Sequence, residues 1–293
     1  MIRVDGMRKR YGEQEVLRGV SLEVSKGELF GFVGPNGAGK TTFLKCLLGI
    51  ARADSGSIVM DGKEVQRQPL AARRLCAYAP SETAMYDHLR VDAMLRFALS
   101  FHAKANLAHG RELLDRFALD RRKRVRALSH GMKRKLLLAQ AIASGTPILL
   151  LDEPMEGLDP EARRGLEGLL QEEAAKGRAV FFSSHDLASV ERVCHRVAFL
   201  RQGELLECDR VDTILERMAH VLRLHLREPM ELTALPQSPS LQWRGAGQHW
   251  QLRFEGELAD VLPHLQKLPL VGLRDASGGL EEVFEALYGE VSA

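Results

Sequence analysis

The sequence predicts an α/β fold with a helical subdomain, followed by a small α+β domain near the C-terminal end. Short apolar runs that end in polar residues recur in the first part of the chain, and helical periodicity dominates its middle. The pattern changes again after about residue 216. With 293 residues, of which 45% are hydrophobic, the chain can fill a sizeable core. We therefore expect two domains, residues 1–216 and 217–293, with the helical subdomain at about 85–145.

Buried parallel strands are predicted at three places in the first domain. Residues 28–33, which are apolar after Glu28, are typical of a strand that leads into a glycine-rich turn, and residues 40–48 then show helical spacing up to Gly49. Residues 147–151 and 179–182 are continuous apolar runs, which are typical of strands covered on both faces. Because open parallel sheets place their sites where strands end, the polar residues after these runs are candidate site residues.

The segment between residues 91 and 145 favours helices. Apolar positions at amphipathic spacing recur in residues 94–98, 113–117 and 136–140. We interpret this segment as a helical insert in the α/β domain.

The second domain combines strand and helix patterns. Residues 221–226 alternate like a strand, and residues 228–240 form a proline-containing linker. A hairpin-like turn is predicted at residues 244–247, between two tryptophans. Two further segments have helical patterns, residues 258–265 and 280–287.

The composition indicates where in the cell the protein acts, but it does not indicate its partner. The 41 basic and 39 acidic residues leave a formal net charge of +2, which gives no general attraction to nucleic acid or to a membrane surface. The four cysteines have no metal-ligand spacing and fit a reducing cytoplasm. Residues 1–5 lack the apolar stretch of a signal peptide, and no run of 18 uncharged apolar residues occurs. If the protein acts at a membrane, we expect another chain to cross it.

A glycine-rich segment directly after the first predicted strand matches the phosphate-binding P-loop pattern. Its residues are Gly34, Pro35, Asn36, Gly37, Ala38, Gly39, Lys40, Thr41 and Thr42. Glycines let consecutive backbone N–H groups approach phosphate oxygens, and the following helix adds its positive dipole end. Lys40 is expected to bind the β- and γ-phosphates, and Thr41 to ligate Mg²⁺. Because a simple glycine turn would need neither the lysine nor the threonine, we expect nucleotide binding.

Two adjacent carboxylates, Asp152 and Glu153, follow the apolar run of residues 147–151. Asp152 is placed to hold Mg²⁺, and Glu153 to orient or deprotonate an attacking water. Adjacent like charges destabilise one another unless a cation or water compensates. An acidic turn in solvent would not need the aliphatic run that leads into it, so the pattern predicts nucleotide hydrolysis.

The order of six motifs along the chain points to a family. They are Tyr11, the P-loop, LSHGM at residues 128–132, ILLLDEP at 148–154, GLDP at 157–160 and SSHD at 183–186. In this order they resemble the motifs of the ATP-binding cassette (ABC) ATPases, and the resemblance covers residues 1 to about 216. LSHGM alone is a weak signal, whereas six motifs in sequence are specific. The resemblance implies a P-loop NTPase fold of the ABC type, with ATP as substrate and Mg²⁺ as cofactor.

The resemblance also implies site residues outside the P-loop. Ser129 is a good N-cap for the helix that follows it, and Ser129 and Gly131 are expected to contact the γ-phosphate of a second subunit across a dimer. Asp159 is expected to link the two sites, His185 to contact the γ-phosphate and position the water, and Tyr11 to stack on adenine. The second subunit would be a second copy of this chain or a paralogue.

Several positions depart from the family pattern. Ser81 stands where most members carry a glutamine that ligates Mg²⁺ and senses the membrane partner. Either Ser81, through a water, or Glu82 would then complete the metal shell. His130 and Met132 replace the commoner glycine and glutamine of the LSHGM motif. Hydrolysis is still expected, because the main phosphate-binding and catalytic residues are present.

Two functions fit this family. The first is the nucleotide-binding subunit of a transporter, which lies at the cytoplasmic face of the membrane and drives a separate transmembrane permease subunit. The second is a soluble ABC ATPase that acts on ribosomes or nucleic acid. The soluble ABC ATPases usually carry two cassettes or a long coiled coil. Since the sequence of this chain predicts a single cassette with an ordinary helical insert, we favour transport. Residues 280–287 resemble the tail of exporter cassettes, which favours export, and nothing in the sequence identifies the cargo.

Two basic clusters flank the LSHGM motif, at residues 121–126 and 133–135. No aromatic residues interleave them, as stacking on bases would favour, so no nucleic acid partner is expected. Contact with lipid headgroups or with an acidic loop of the permease is an alternative. We prefer to interpret them as solvated faces that also attract the nearby triphosphate.

Overall fold

The computed structural model describes residues 1–217, 220–254, 256–276 and 278–289. The chain divides into two compact units, of which the first is Met1–Asp209 and the second begins at Arg210. The predicted boundary lies a few residues later. The helix between the two positions, Val211–Glu216, packs against the last helix of the second unit. That the two units are separate domains stays a prediction.

The first unit alternates strands and helices. Its strands are β1 (Ile2–Tyr11), β2 (Gln14–Val24), β3 (Leu29–Val33), β4 (Ser55–Met60), β5 (Lys63–Glu64), β6 (Cys76–Ala79), β7 (Ile148–Asp152), β8 (Ala179–Ser184), β9 (Arg196–Arg201) and β10 (Glu204–Arg210). Its helices are α1 (Lys40–Leu47), α2 (Pro69–Arg73), α3 (Val91–Leu99), α4 (Leu107–Arg116), α5 (His130–Ala143), α6 (Pro160–Ala175) and α7 (Leu187–Val193).

A six-stranded sheet places the predicted polar residues at one edge. Its order is β10-β9-β3-β8-β7-β6, and the five strands from β9 to β6 run parallel. The three predicted strands are confirmed as β3, β7 and β8, and each is buried over its whole length. In the register, Asp152 lies beside Ser183, and Val33 lies beside Ser184. The residues that follow these strands therefore emerge close together.

A second, antiparallel sheet with the order β2-β1-β4-β5 shares one hydrophobic core with α1, β3 and β8. Three phenylalanines lie at the centre of this core, Phe32, Phe43 and Phe181, with ring centroids 4.6 to 5.7 Å apart. Burial of each such ring contributes about 1.5–3 kcal/mol. Because Phe43 belongs to α1, this packing fixes the helix that follows the P-loop against the sheet.

The predicted helical insert is confirmed. Helices α3, α4 and α5 lie between β6 and β7 in the sequence and pack against one another. Ser129 is the N-cap of α5, since its hydroxyl accepts a hydrogen bond from the N–H of Met132 at 3.3 Å. The insert therefore presents the start of α5 with the polar cap that the sequence predicts.

The second unit is an antiparallel sheet with helices. Its strands are β11 (His220–Met230), β12 (Leu241–Phe254) and β13 (Leu270–Asp275), in the order β12-β11-β13. Its helices are α8 (Val211–Glu216), α9 (Leu258–Leu265) and α10 (Gly279–Gly289). Leucines of β11 pack with Trp250 of β12 and with Leu265 of α9. The predicted α+β composition of this part of the chain is thereby confirmed.

One local prediction in the second unit is wrong and another is confirmed. The strand predicted at residues 221–226 continues through residues 228–230, so the linker begins later than expected.

The predicted hairpin-like turn at residues 244–247 is confirmed within the range of β12. A Cβ on Gly245 would lie 2.3 Å from the carbonyl oxygen of His249, an approach that residues of one extended strand cannot make. Gly245 and Gly247 have φ values of 141° and 62°, which favour glycine, so the chain reverses its direction here.

Among the described residues, no helix has both the length and the apolar character that a membrane span requires. The longest described helix, α6, has 16 residues and is rich in charged side chains.

Candidate functional site

The P-loop joins β3 to α1 at the edge where the parallel strands end. A Cβ on Gly34 would lie 2.3 Å from the carbonyl oxygen of Leu200, so only glycine fits there. Gly39 has a φ of 110°, in the left-handed region that favours glycine. Helix α1 begins directly after it, at Lys40, so unbonded N–H groups and the positive dipole end face the loop. This geometry is suited to binding an anion.

Lys40 is buried at the mouth of the P-loop, with only 7% of its side chain exposed. Its Nζ donates to the carbonyl oxygen of Gly34 at 2.6 Å and lies 3.4 Å from Oε1 of Glu153. A buried ammonium group needs such partners because its desolvation is costly. Lys40 therefore holds one positive charge at the mouth of the P-loop.

Thr41 and Asp152, the predicted metal ligands, lie in contact. The Thr41 hydroxyl donates to Oδ2 of Asp152 at 3.0 Å, and the Ser183 hydroxyl donates to Oδ1 at 2.5 Å. One hydroxyl and one carboxylate fit Mg²⁺, which in nucleotide sites completes its shell with phosphate oxygens and water. Among the described residues, no three His, Cys, Asp or Glu side chains form a group that could hold a metal without such help.

Glu153 lies between a cation and an imidazole. Its Oε2 is 2.9 Å from Nδ1 of His185 and also accepts the backbone N–H of His185 at 3.3 Å, while Oε1 faces Lys40. The backbone of Glu153 has a φ of 49°, which is rare for a residue other than glycine, and its N–H donates to the Ser183 hydroxyl at 3.1 Å. A carboxylate held in this way can orient a water and accept its proton.

An open cleft extends from the P-loop to the end of β7. Ser81 lines it together with Asp152 and Glu153, whereas Glu82 is exposed and does not. Of the two alternatives for the missing glutamine, the geometry favours Ser81. The sequence had not singled out Gln14, which also lines the cleft.

Ser129, Gly131 and Asp159 do not line the cleft of their own chain. Ser129 and Asp159 are exposed, and a Cβ on Gly131 would lie 2.5 Å from the carbonyl oxygen of Gly157. Asp159 caps α6, and the N–H of Ala162 together with the Lys135 ammonium lowers the pKa of its carboxyl group. Their contact with the nucleotide of a second subunit therefore stays a prediction.

Tyr11 lies at the end of β1 and is half exposed. The ammonium of Lys9 lies 5.1 Å from the centroid of its ring. Tyr11 is not among the residues that line the cleft, so its contact with adenine stays a prediction.

The interpretation of residues 133–135 as a solvated basic face is wrong. Arg134 is fully buried, while Lys133 pairs with Asp87 at 2.9 Å and Lys135 pairs with Asp159 at 3.1 Å. The helical period could have revealed this difference, because Arg134 shares a face of α5 with the buried residue Leu138. Ser183 was also missed, although a hydroxyl at the end of an apolar strand was a usable signal.

Comparison with known proteins assigns the family. Residues 17–156 match the family model described as ABC transporter. The ABC transporter ATP-binding protein YtrB of Bacillus subtilis (strain 168) is 33% identical over 217 residues, which are 74% of this chain and 74% of that protein. The Nod factor export ATP-binding protein I of Paraburkholderia xenovorans (strain LB400) is 37% identical over 211 residues, 69% of this chain and 68% of that protein. This chain belongs to the family of ABC transporter ATP-binding proteins, which confirms the resemblance seen in the motifs.

Solved structures agree on the fold. The ATP-binding subunit of an ABC transporter superimposes with a TM-score of 0.69 at 32% identity and covers 73% of this chain and 91% of its own. A dimeric bacterial ABC transporter cassette superimposes with a TM-score of 0.66 at 23% identity and covers 72% of this chain and 98% of its own. The predicted ABC ATPase fold is confirmed.

Proposed function

We propose that this chain binds and hydrolyses ATP with Mg²⁺, and that hydrolysis drives a separate membrane-spanning subunit in export. The observation that carries the proposal is the position of the Glu153 carboxylate. It lies 3.4 Å from the Lys40 ammonium and 2.9 Å from the His185 ring, at the phosphate end of the cleft. A general base in this place meets the needs of phosphoryl transfer to water.

Each side chain then has a separate task in hydrolysis. Lys40 binds the β- and γ-phosphates, which compete with the Glu153 carboxylate for the Lys40 ammonium group. Glu153 accepts the proton of the attacking water, and His185 orients that carboxylate and contacts the γ-phosphate. When bound, Mg²⁺ neutralises charge on the phosphate oxygens. Thr41 and Asp152 would hold it, with Ser81 acting through a water.

The proposal includes a dimer that closes on ATP. Ser129 and Gly131 at the start of α5, with Asp159 at the start of α6, would complete the nucleotide site of a second copy or of a paralogue. The exposure of Ser129 and Asp159, and the absence of all three residues from the lining of their own cleft, support this assignment. ATP would then hold two subunits together.

The membrane partner and the direction of transport rest on the relatives. Several relatives have names that specify Nod factor export, and two others are named as ABC transporter ATP-binding proteins. We propose that this chain lies at the cytoplasmic face of the membrane and binds a permease that carries the cargo specificity. No nucleic acid partner is proposed. A soluble ABC ATPase acting on ribosomes is the alternative.

The experiment that tests this function is affinity purification of the tagged full chain from detergent-solubilised membranes of its native cell, with ATPase assays on the purified complex. We expect a polytopic membrane protein to co-purify and to stimulate hydrolysis. Co-purification of ribosomes without a membrane protein would support the soluble alternative. A pure chain that binds no ATP would contradict the proposal altogether.

The Ser81→Gln variant tests the departure from the family pattern. We expect turnover equal to or above that of the unmodified protein, because a glutamine reaches farther into the cleft that Ser81 lines. Steady-state ATPase assays at varied Mg²⁺ measure the effect, and Ser81→Ala is the matched control that removes the hydroxyl. A loss of more than about tenfold in Ser81→Gln, about 1.4 kcal/mol of barrier, would mean that serine is specifically required.

A further inference from the structure

A buried arginine in α5 holds the backbone beneath the site. Arg134 is fully buried, and its guanidinium group donates to three carbonyl oxygens. It bonds to Pro80, which precedes Ser81, to Asp152 at 3.2 Å and to Glu153 at 2.8 Å. One side chain therefore joins the helix that begins after Ser129 to the ends of two strands that carry site residues.

The position is unusual for a charge. Desolvation lowers the pKa of Arg134, and the carboxylates of Glu156, Asp152 and Glu153 oppose that shift. The Glu156 carboxylate lies 4.0 Å from the guanidinium group, and Nε has no hydrogen-bond partner in the described part of the chain. A buried charge is costly, and an apolar side chain could fill similar space. An apolar side chain could not donate the hydrogen bonds that Arg134 makes to the three carbonyl oxygens.

The backbone of Glu153 has a strained conformation that needs support. Its positive φ of 49° is unfavourable for a residue with a Cβ and persists only where its surroundings hold it. Ser183 binds its N–H at 3.1 Å, and Arg134 binds its carbonyl oxygen. The peptide groups on either side of the Glu153 Cα are therefore fixed, and its side chain is directed toward Lys40 and His185.

We propose that Arg134 is a positioning residue that orients the Glu153 carboxylate through its backbone and, by the same fork, sets the position of the chain at Pro80 and Ser81. The proposal rests on the proposed role of Glu153. Arg134 itself touches neither the reacting atoms nor the cleft, since it is not among the lining residues. Because Glu153 is the proposed general base, we expect Arg134 to affect turnover mainly through the position of that carboxylate.

The test compares Arg134→Lys with Arg178→Lys in the full chain. Arg178 is a matched control because it is also mostly buried, also has an Nε without a partner among the described residues, and donates to the carbonyl oxygen of Ile142 at 2.7 Å near the far end of α5. Lysine keeps the charge in both variants but cannot bond several carbonyl oxygens in a fixed fork. The kcat is calculated per molecule of protein that binds a non-hydrolysable ATP analogue. Unfolded protein is thereby excluded from the protein concentration used for kcat.

We expect Arg134→Lys to bind the analogue within about twofold of the unmodified protein and to lose at least about tenfold in kcat, which corresponds to about 1.4 kcal/mol. Arg178→Lys should lower the melting temperature and leave the normalised kcat within about twofold. In the Glu153→Gln background, Arg134→Lys should cause no further loss, because the group that it positions is already disabled.

An unchanged kcat in Arg134→Lys, an equal loss in Arg178→Lys, or an additive loss in the Glu153→Gln background would each overturn the positioning role. If Arg134→Lys does not fold, Arg134→Gln enters the same comparison with the same expected losses. A Glu153→Gln variant with normal turnover would instead contradict the role of Glu153 itself, so the two failures are distinguishable.

Discussion

Replacement of Glu153 by glutamine is expected to lower the turnover of ATP at least about hundredfold, equivalent to about 2.7 kcal/mol of barrier, while ATP binding is retained. Glutamine has nearly the same size and can still occupy the space between Lys40 and His185. It cannot accept a proton from the attacking water, however, and it carries no charge to hold the His185 ring. We also expect the variant to accumulate as an ATP-bound dimer, because closure would no longer be followed by hydrolysis.

Two measurements check this expectation, the rate of phosphate release and size-exclusion chromatography with ATP. Glu112→Gln is the matched control, since that side chain is 76% exposed on α4 and does not line the cleft. Turnover in Glu153→Gln within a few-fold of the control would exclude Glu153 as the base. Loss of ATP binding would indicate instead that Glu153 acts mainly by holding Lys40.

Replacement of Lys40 by methionine is expected to weaken ATP binding by about tenfold to more than a hundredfold. Hydrogen bonds to a charged group contribute about 1.5–3 kcal/mol, and a factor of ten in affinity corresponds to about 1.4 kcal/mol. Methionine preserves the apolar stem in a position that is only 7% exposed, so the loop should keep its packing. What is lost is the ammonium group that binds Gly34 and faces Glu153.

Titration calorimetry with ATP and Mg²⁺ measures the affinity, and a melting curve checks that the fold is intact. Lys45→Met is the matched control because Lys45 belongs to the same helix and is exposed. Equal affinity in Lys40→Met and Lys45→Met would mean that Lys40 is not a phosphate ligand. Loss of affinity in both would point to a general effect of charge on binding.

The sequence predicted the parts of the site that depend on local pattern. Strand β3, the P-loop and α1 follow one another without a gap, so apolar run, glycines and helical period were enough to place Lys40 and Thr41. The place of Asp152 and Glu153 at the end of β7 was predicted for the same reason, because an apolar run ended on two acids. The N-cap at Ser129 is a contact between residues three apart, and it too was predicted correctly.

The predictions from the sequence were wrong where one residue pattern was compatible with more than one structure. Arg134 stood between two lysines and was assigned to a solvated face, although its helical neighbours on the same face are buried. The segment from residue 228 was assigned to a linker because it contains proline, but β11 extends to Met230. In both cases the residue types were right for several structures, and only packing selected one.

The sequence by itself therefore determined the family, the glycine-rich loop between β3 and α1 and most of the candidate residues in the cleft, because these depend on short segments whose order and spacing are visible in the chain. The tertiary structure alone decided that Ser81 rather than Glu82 faces the cleft, that Ser183 supports Asp152, and that Arg134 holds Glu153. Those contacts join segments far apart in the sequence, and side-chain direction and burial are set by the packing of α5 and the parallel strands rather than by local propensity.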